Sequence, residues 1–290
     1  MIITEIGRGL GNSMYVYAAA KALAEHHKTE LKLDTSYLKS WPRWEKYGGA
    51  WYFELGKFNI TAKEATGLEV FKHIIETGFR PIDKILREYK LFEKRVYYFP
   101  SNGNVKDFLK LPDNIYLWCY MGNEKFFKSV KKIIQKEFTL KEENKKGIKD
   151  LLFKLSKENS VSLHVRRGDV LTLKDAYILP LEFYEKAIKL IKKKVKKPKF
   201  YVFSDEIEWC KENFKSFDAN IVFVDDKEGY EVLELMRSCK HNILAVSALS
   251  WWAGYLNPNP NKIVIAPRHF SHFKSAKIES GVLPKEWIKL

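Results

Sequence analysis

The sequence predicts an α/β protein whose carboxyl-terminal half forms a doubly wound parallel sheet. Three observations carry that reading. From Val161 onward, short β-branched and apolar runs alternate with amphipathic helical stretches in the pattern βαβαβαβαβ. The chain also opens on a strand, a glycine loop and a helix, the beginning of a nucleotide-binding βαβ unit. Finally, polar residues gather just after the predicted strands, at the edge where open α/β sheets bind ligands.

In chain order, Ile2, Ile3 and Ile6 make the first strand, and Gly7-Arg8-Gly9-Leu10-Gly11-Asn12 follows. Ser13 is expected to cap a helix from Met14 to His26, because Tyr15, Ala18, Ala19, Ala22 and Leu23 recur at helical spacing. The loop is not the dinucleotide fingerprint, since Asn12 stands where the last glycine belongs. Nor is it a P-loop, since no Gly-Lys-Ser/Thr follows. It is either a close approach of backbone to a ligand or a tight strand-to-helix turn.

Glu30–Leu33 reads as a second strand, with Asp34 after it. Tyr37, Trp41, Trp44, Tyr47, Trp51, Tyr52, Phe53 and Phe58 then form an aromatic stretch that suits either core packing or a platform for a sugar ring. Residues 62–93 read as mixed helix broken at Gly78 and Pro81. Arg95–Phe99 and Asn114–Trp118 read as strands, and Glu124–Glu137 and Lys141–Leu155 as lysine-rich helices. Asn159 breaks the pattern, so the domain boundary is placed there, between 1–158 and 159–290.

Beyond it come strand Val161–Val165, helix Leu181–Val195, strand Phe200–Phe203, helix Ile207–Asn213 and strand Ile221–Val224. Helix Tyr230–Ser238, strand Ile243–Val246, a short helix near Trp251–Leu256 and strand Ile263–Ala266 complete the half.

The chain's 290 residues, 46% hydrophobic and 14% aromatic, are enough for one large or two medium packed domains. No apolar run approaches the ~18 residues of a bilayer span. The first residues lack the basic start and long apolar core of a secretory signal. Cys119, Cys210 and Cys239 show no paired spacing, which argues against a disulfide framework or a zinc site and points to a cytoplasmic location. The net charge of +15 sits largely on lysine runs such as Lys192–Lys197. Solvated helix faces account for it, with attraction to an anionic substrate or membrane surface as the sharper option. Nucleic acid is not expected, because no recognition motif is present.

The chemistry converges on strand ends. Arg166, Arg167 and Asp169 follow the first strand of the second half; Ser204, Asp205 and Glu206 follow the next. Asp225 and Asp226 follow the third, and Ser247, Ser250, Trp251 and Trp252 the fourth. An arginine fork grips phosphate oxygens two at a time, so Arg166 and Arg167 suit a nucleotide diphosphate and the charge that grows on it as it leaves. The start of a helix near Ser247–Ser250 would offer free N–H groups as a second phosphate wall. Asp205 suits a ribose hydroxyl or the donor edge of a base. Structural readings stand beside these. One arginine of the pair would salt-bridge Asp169, Trp251-Trp252 would be core, and Asp225-Asp226 a turn or helix cap. His164 is either hydrogen-bonded within the sheet or in contact with the nucleotide. No Asp-x-Asp stands on a strand end, so no metal site is expected.

These residues resemble the α-1,2-fucosyltransferases of glycosyltransferase family 11 over nearly the whole chain. His164–Asp169 is identical to the family motif His-x-Arg-Arg-Gly-Asp, the most specific of the set. Gly9, Leu10, Gly11 and Asn12 look like the core of its Gly-Gly-Leu-Gly-Asn-Gln motif, with Arg8 and Ser13 replacing the outer residues. Phe203-Ser204-Asp205 is similar to its Phe-Ser-Asp segment. Leu235–Trp252 is similar to its closing stretch, with Val246, Ala248 and Leu249 in place of Asn, Ser and Phe.

The resemblance implies a GT-B-like fold, two Rossmann-like domains facing across a cleft, with residues 1–158 on the acceptor side and 159–290 binding a GDP-sugar. It implies transfer of fucose from GDP-fucose to the 2-hydroxyl of a β-galactoside glycan, free or lipid-linked, with inversion and no metal or other cofactor. Arg166, Arg167 and Asp169 would be catalytic, with Asp169 as the base if one is needed. His164, Arg166, Arg167, Ser204, Asp205, Ser247, Ala248, Leu249 and Ser250 would bind the donor. The replaced positions leave open another GDP-deoxysugar, such as GDP-colitose, or a GDP- and glycan-binding protein of weakened activity.

Overall fold

The computed structural model describes residues 1–40, 52–74, 96–276 and 281–290. They fall into two compact units. The first comprises the described residues of 1–134 other than 54–59; the second comprises Glu54–Asn59 and the described residues of Gln135–Leu290. The division in the chain therefore precedes the one expected at 158/159. Residues 135–158 join the second unit because Phe138, Leu140, Ile148 and Leu155 are buried in it. Of the aromatic stretch, Trp41, Trp44, Tyr47 and Trp51 lie outside the described residues, as does most of the segment broken at Gly78 and Pro81.

The first unit is a parallel five-stranded sheet in the order β3-β2-β1-β5-β4. Its strands are β1 (Ile2–Glu5), β2 (Leu31–Asp34), β3 (Lys63–Glu64), β4 (Val96–Phe99) and β5 (Ile115–Cys119). Helix α1 (Leu10–His27) packs on it and is buried over most of its length. Its alanines at 18, 19, 20, 22 and 24 carry no side-chain entropy into the helix and let it lie close to the strands. Lys28 ends it in the left-handed region, at φ 53°, donating its N–H to the carbonyls of Ala24 and Glu25.

The helix begins four residues before the predicted start. Gly9 caps it, and Leu10, Gly11 and Asn12 form its first turn. Ser13 is therefore inside the helix, where its Oγ donates to the Arg8 carbonyl at 2.7 Å. The remaining helices of this unit are α2 (Ser36–Ser40), α3 (Gly67–Ile74), α4 (Val105–Leu109) and most of α5 (Lys131–Glu137). Residues 124–130 are two short 3-10 turns rather than the start of one long helix.

The second unit is a parallel six-stranded sheet in the order β11-β10-β9-β6-β7-β8. Its strands are β6 (Ser160–Val165), β7 (Lys199–Ser204), β8 (Asn220–Val224), β9 (His241–Ile243), β10 (Val264–Ala266) and β11 (Ile288–Lys289). Its helices are α6 (Lys149–Lys157), α7 (Leu181–Lys194), α8 (Ile207–Asn213), α9 (Gly229–Ser238) and α10 (Ala248–Leu256).

All six residues of β6 are buried. Val161, Leu163 and Val165 face an apolar cluster with Phe183, Tyr184, Ala187, Ile188 and Ile191 of α7. The alternate residues are small and polar. Ser160 Oγ donates to the Leu155 carbonyl, and Ser162 Oγ accepts from Asn242 Nδ2, which Asn257 in turn secures. Period-two alternation thus survives in a strand buried on both faces because the second face packs through satisfied hydrogen bonds.

Two sequence readings shift here. The strand expected at Ile243–Val246 ends at Ile243, because the Ala245 N–H is taken by Ser250 Oγ at 3.0 Å. The run Lys141–Leu155 divides into a 3-10 turn over Glu142–Ile148 and α6.

Glu54 gives this unit a measurable acid response. Burial raises its carboxyl to about 7, Glu228 adds to the rise, and the Tyr230 N–H at 3.1 Å and Lys57 oppose it. The folded state thus holds a proton that the unfolded chain releases near 4.5. Stability from this group is full below 4.5 and is lost as pH climbs to about 7. Glu54→Gln should gain on wild type over that window, by up to ~3 kcal/mol at ~1.4 kcal/mol per pKa unit. Urea melts at pH 5 and pH 8 measure the difference. Subtracting the two proteins removes His164, His241 and His272, whose depressed values act with the opposite sign.

Candidate functional site

In the second unit the chain runs outward from β6 through β7 to β8, then returns to the other side of β6 as β9 and continues to β10 and β11. The crevice between the carboxyl ends of β6 and β9 is a topological switch point, where sheets of this kind bind ligands. The loop after β6 enters it as Arg166-Arg167-Gly168-Asp169. The start of α10 enters it from the β9 side, and Ser204-Asp205 borders it from β7.

The two arginines have different surroundings. Arg166 is clamped between carboxylates, Nη2 to Asp169 Oδ1 at 2.6 Å and Nη1 to Asp205 Oδ2 at 2.8 Å. The salt bridge anticipated for one of the pair is thus this one, and Asp169 is committed to it. Arg167 makes no ion pair among the described residues. Its guanidinium lies over the Trp209 ring of α8, with Cζ 3.8 Å from the ring centroid, and its buried Nε has no hydrogen-bond partner among the described residues.

Asp205 organises the turn. Besides holding Arg166, its Oδ1 accepts the Arg167 N–H at 3.0 Å. Gly168 packs directly over it, and a Cβ there would stand 2.6 Å from Asp205 Oδ2. The glycine of the motif is therefore set by the carboxylate beneath it. Ser204 serves the same turn, accepting the Glu206 N–H at 2.9 Å.

His164 is buried in β6, and its Nδ1 has no hydrogen-bond partner among the described residues. Burial pushes its pKa down to about 4; Asp205 opposes this and Arg166 adds to it. The imidazole is neutral at pH 7. His272 lies in the same field, its pKa lowered by burial first and Arg166 second.

At the start of α10, Ser247 is the N-cap and makes no side-chain capping bond. Ser247, Ala248 and Leu249 are partly exposed. Ser250 is fully buried, and its hydroxyl accepts the Ala245 N–H, so it supports the turn instead of lining the crevice. Trp251 and Trp252 are core, with Trp251 Nε1 donating to the Val282 carbonyl. Asp225 and Asp226 form a turn, the Asp226 N–H donating to Asp225 Oδ1.

The loop Gly9-Leu10-Gly11-Asn12 belongs to the first unit, where Asn12 Oδ1 accepts from the Tyr120 hydroxyl at 3.0 Å. Trp209 and His272 are neighbours of the arginines that sequence reasoning missed. Trp209 lies in the helix directly after the Ser204-Asp205 turn, a position from which a large aromatic could have been suspected. His272 sits in irregular chain that gives no signal.

Among the described residues, no group of three His, Cys, Asp or Glu side chains is placed to hold a metal ion. None of the described helices is long and apolar enough to cross a membrane.

The arrangement is a fixed cation at the rim of a crevice, beside a helix start whose first N–H groups lack intrahelical partners. It suits an anion that carries more charge in the transition state than in the ground state. Gly168→Ala should press on Asp205 and loosen the loop, at a cost of roughly 1–3 kcal/mol. A urea melt against wild type measures it.

A model of Glycosyl transferase family 11 matches residues 1–290. The O-antigen biosynthesis glycosyltransferase WbnK of Escherichia coli is 30% identical over 306 residues, covering 97% of this chain and 98% of that protein. An alpha-1,2-colitosyltransferase of Escherichia coli is 29% identical over 302 residues, covering 100% and 99%. The crystal structure of fucosyltransferase NodZ from Bradyrhizobium matches with a TM-score of 0.53 at 15% identity, covering 87% of this chain and 91% of that one. At that identity the likeness is one of fold, the GT-B-like α/β architecture with parallel sheets.

Proposed function

The chain belongs to glycosyl transferase family 11 and is a glycosyltransferase; from that premise we propose that it moves L-fucose from GDP-fucose to the 2-hydroxyl of a terminal β-galactoside, with inversion and without a metal ion. The observation that carries the reading is Arg167, a guanidinium at the carboxyl end of the central strand that no carboxylate among the described residues pairs with. The donor's diphosphate is the ligand this charge fits. Identity of His164–Asp169 to the motif of the α-1,2-fucosyltransferases supports the choice of sugar.

In this mechanism the diphosphate lies in the crevice between β6 and β9. Arg167 takes two of its oxygens, and the N–H groups of Ala248 and Leu249 face it from the start of α10. As the bond to the sugar lengthens, the anomeric carbon becomes oxocarbenium-like and negative charge grows on the leaving phosphate. Arg167 is already in position on Trp209, so little reorganisation is needed when that charge appears. Neutral His164 offers a hydrogen bond without adding charge. Arg166, shared by Asp169 and Asp205, holds the loop in shape. The acceptor 2-hydroxyl attacks the anomeric carbon from the opposite face as the bond to the diphosphate breaks, GDP departs, and the hydroxyl proton passes to solvent water; bond breaking leads, so a strong base is not needed, and Asp169 acts through Arg166.

A second reading keeps the chemistry and changes the sugar to colitose. Val246 and Ala248 motivate it, since they stand where the family motif has Asn and Ser and so remove two polar side chains near the α10 start, and an Escherichia coli relative carries that activity in its name. A hydrolysis panel of GDP-fucose against GDP-colitose decides between them. For either donor, Arg167→Lys should lower kcat by about 100-fold or more, because one oxyanion contact of this kind is worth roughly 3–4 kcal/mol. The acceptor KM should stay close to wild type. Retention of full turnover by Arg167→Lys would refute the mechanism.

A further inference from the structure

The edge of the second sheet opposite the crevice carries a chemistry that the transfer reaction leaves unused. There the amino ends of β6, β7 and β9 lie side by side, with Ser160 opposite Lys199 and Val161 opposite His241. The six residues of β6 separate this edge from the arginine loop by roughly 20 Å.

Asn159, the residue that breaks the sequence pattern before β6, joins three segments here. Its Nδ2 donates to the Lys196 carbonyl at 2.7 Å, its carbonyl accepts the Lys199 N–H at 3.0 Å, and its Oδ1 accepts from Lys240 Nζ at 3.1 Å. Helix α6 arrives at this edge with Lys154 and Lys157 in its last turn, and α7 with Lys193 and Lys194 in its own. Lys196 and Lys197 lie in the turn into β7, and all six of these lysines are exposed. Two acids that border the edge are each paired already. Glu158 holds Lys199 at 2.9 Å and accepts from the Tyr201 hydroxyl, and Asp218 holds Lys192 at 2.6 Å.

Lysines in a helix's last turn complement its dipole, which accounts for the first four. It does not account for Lys196 and Lys197. Lys197 sits in the left-handed region at φ 47°, where glycine or asparagine fits more easily. The chain holds a cation there against its backbone preference. Phe153 completes the surface. It lies one turn before Lys157 on α6 and is 65% exposed, with Lys157 Nζ 5.3 Å from its ring centroid.

Lysine presents a point charge on a flexible stem, without the arginine fork that grips a single phosphate. Six lysines around a protruding aromatic ring therefore suit a mobile array of anionic headgroups better than a nucleic acid. We propose that this edge docks the protein on an anionic lipid bilayer. The lysines meet the headgroups, and Phe153 enters the boundary between headgroups and acyl chains. The crevice at the far edge takes no part, so the proposal holds for either GDP-sugar.

Vesicle flotation at about 0.1 M salt compares phosphatidylcholine alone with phosphatidylcholine containing about one-third phosphatidylglycerol. The full chain should float with the anionic vesicles, stay behind with the neutral ones, and be released at about 0.5 M salt. Lys196→Ala combined with Lys197→Ala should weaken binding about 30-fold, at roughly 1 kcal/mol for each lysine near the surface. Phe153→Ser should weaken it about tenfold. Lys174→Ala combined with Lys274→Ala removes the same charge from exposed positions in the loops after β6 and β10, and should change binding less than about twofold. All these variants should keep the wild-type urea midpoint, because the changed side chains are exposed. Equal flotation with neutral and anionic vesicles, or equal loss in the edge and control variants, would overturn the proposal. Failure to float, with a short single-stranded RNA bound through Lys196 and Lys197 instead, would also overturn it and assign the edge to nucleic acid.

Discussion

The second unit's crevice depends on one carboxylate. Asp205, at the end of β7, binds the Arg166 guanidinium, accepts the Arg167 N–H and sets the space that only a glycine at 168 fills. These groups are partly exposed, so solvent screens them and each ion pair contributes about 1 kcal/mol or less; the loop after β6 is held by several such contacts converging on one carboxylate. Ser204 and the β6–β7 ladder fix Asp205 in turn, pairing Val165 with Ser204 at the point where both strands end.

That arrangement separates two adjacent arginines by function. The pleat sends consecutive residues to opposite sides, so Arg166 continues the polar face of Ser160, Ser162 and His164, and Arg167 continues the apolar face towards α8. Arg166 meets two carboxylates and becomes part of the frame. Arg167 meets a tryptophan, which holds a cation through its ring without cancelling the charge; such contacts are worth about 0.5–2 kcal/mol. A guanidinium kept in place but not neutralised is what a leaving diphosphate requires of its site.

The alternating second half was legible because long apolar helices and β-branched runs report their own period; helix Ile207–Asn213 falls on the predicted residues. The start of α1 was not, because Gly9 and Gly11 look like loop residues yet form a helical first turn. The edge strands β3 and β11 are two residues each, too short for a periodic signal. At the site, the motif located the arginines and Asp205. It did not show which arginine is neutralised, since that depends on Trp209 and Asp205, brought there by other elements. Ser250 was misassigned for a related reason: its sequence resembles a phosphate-binding helix start, but the hydroxyl points inward to a backbone N–H that β9 leaves behind.

The second unit's switch point carries a fixed cation that, among the described residues, no carboxylate pairs with. The most direct test of the central claim is a crystal structure with GDP. The account predicts a terminal phosphate oxygen within hydrogen-bond distance of the Arg167 guanidinium, with Arg166 still held by Asp169 and Asp205. A nucleotide bound away from residues 164–169, or an Arg167 that turns to a carboxylate of the protein and leaves the phosphate uncontacted, would contradict it.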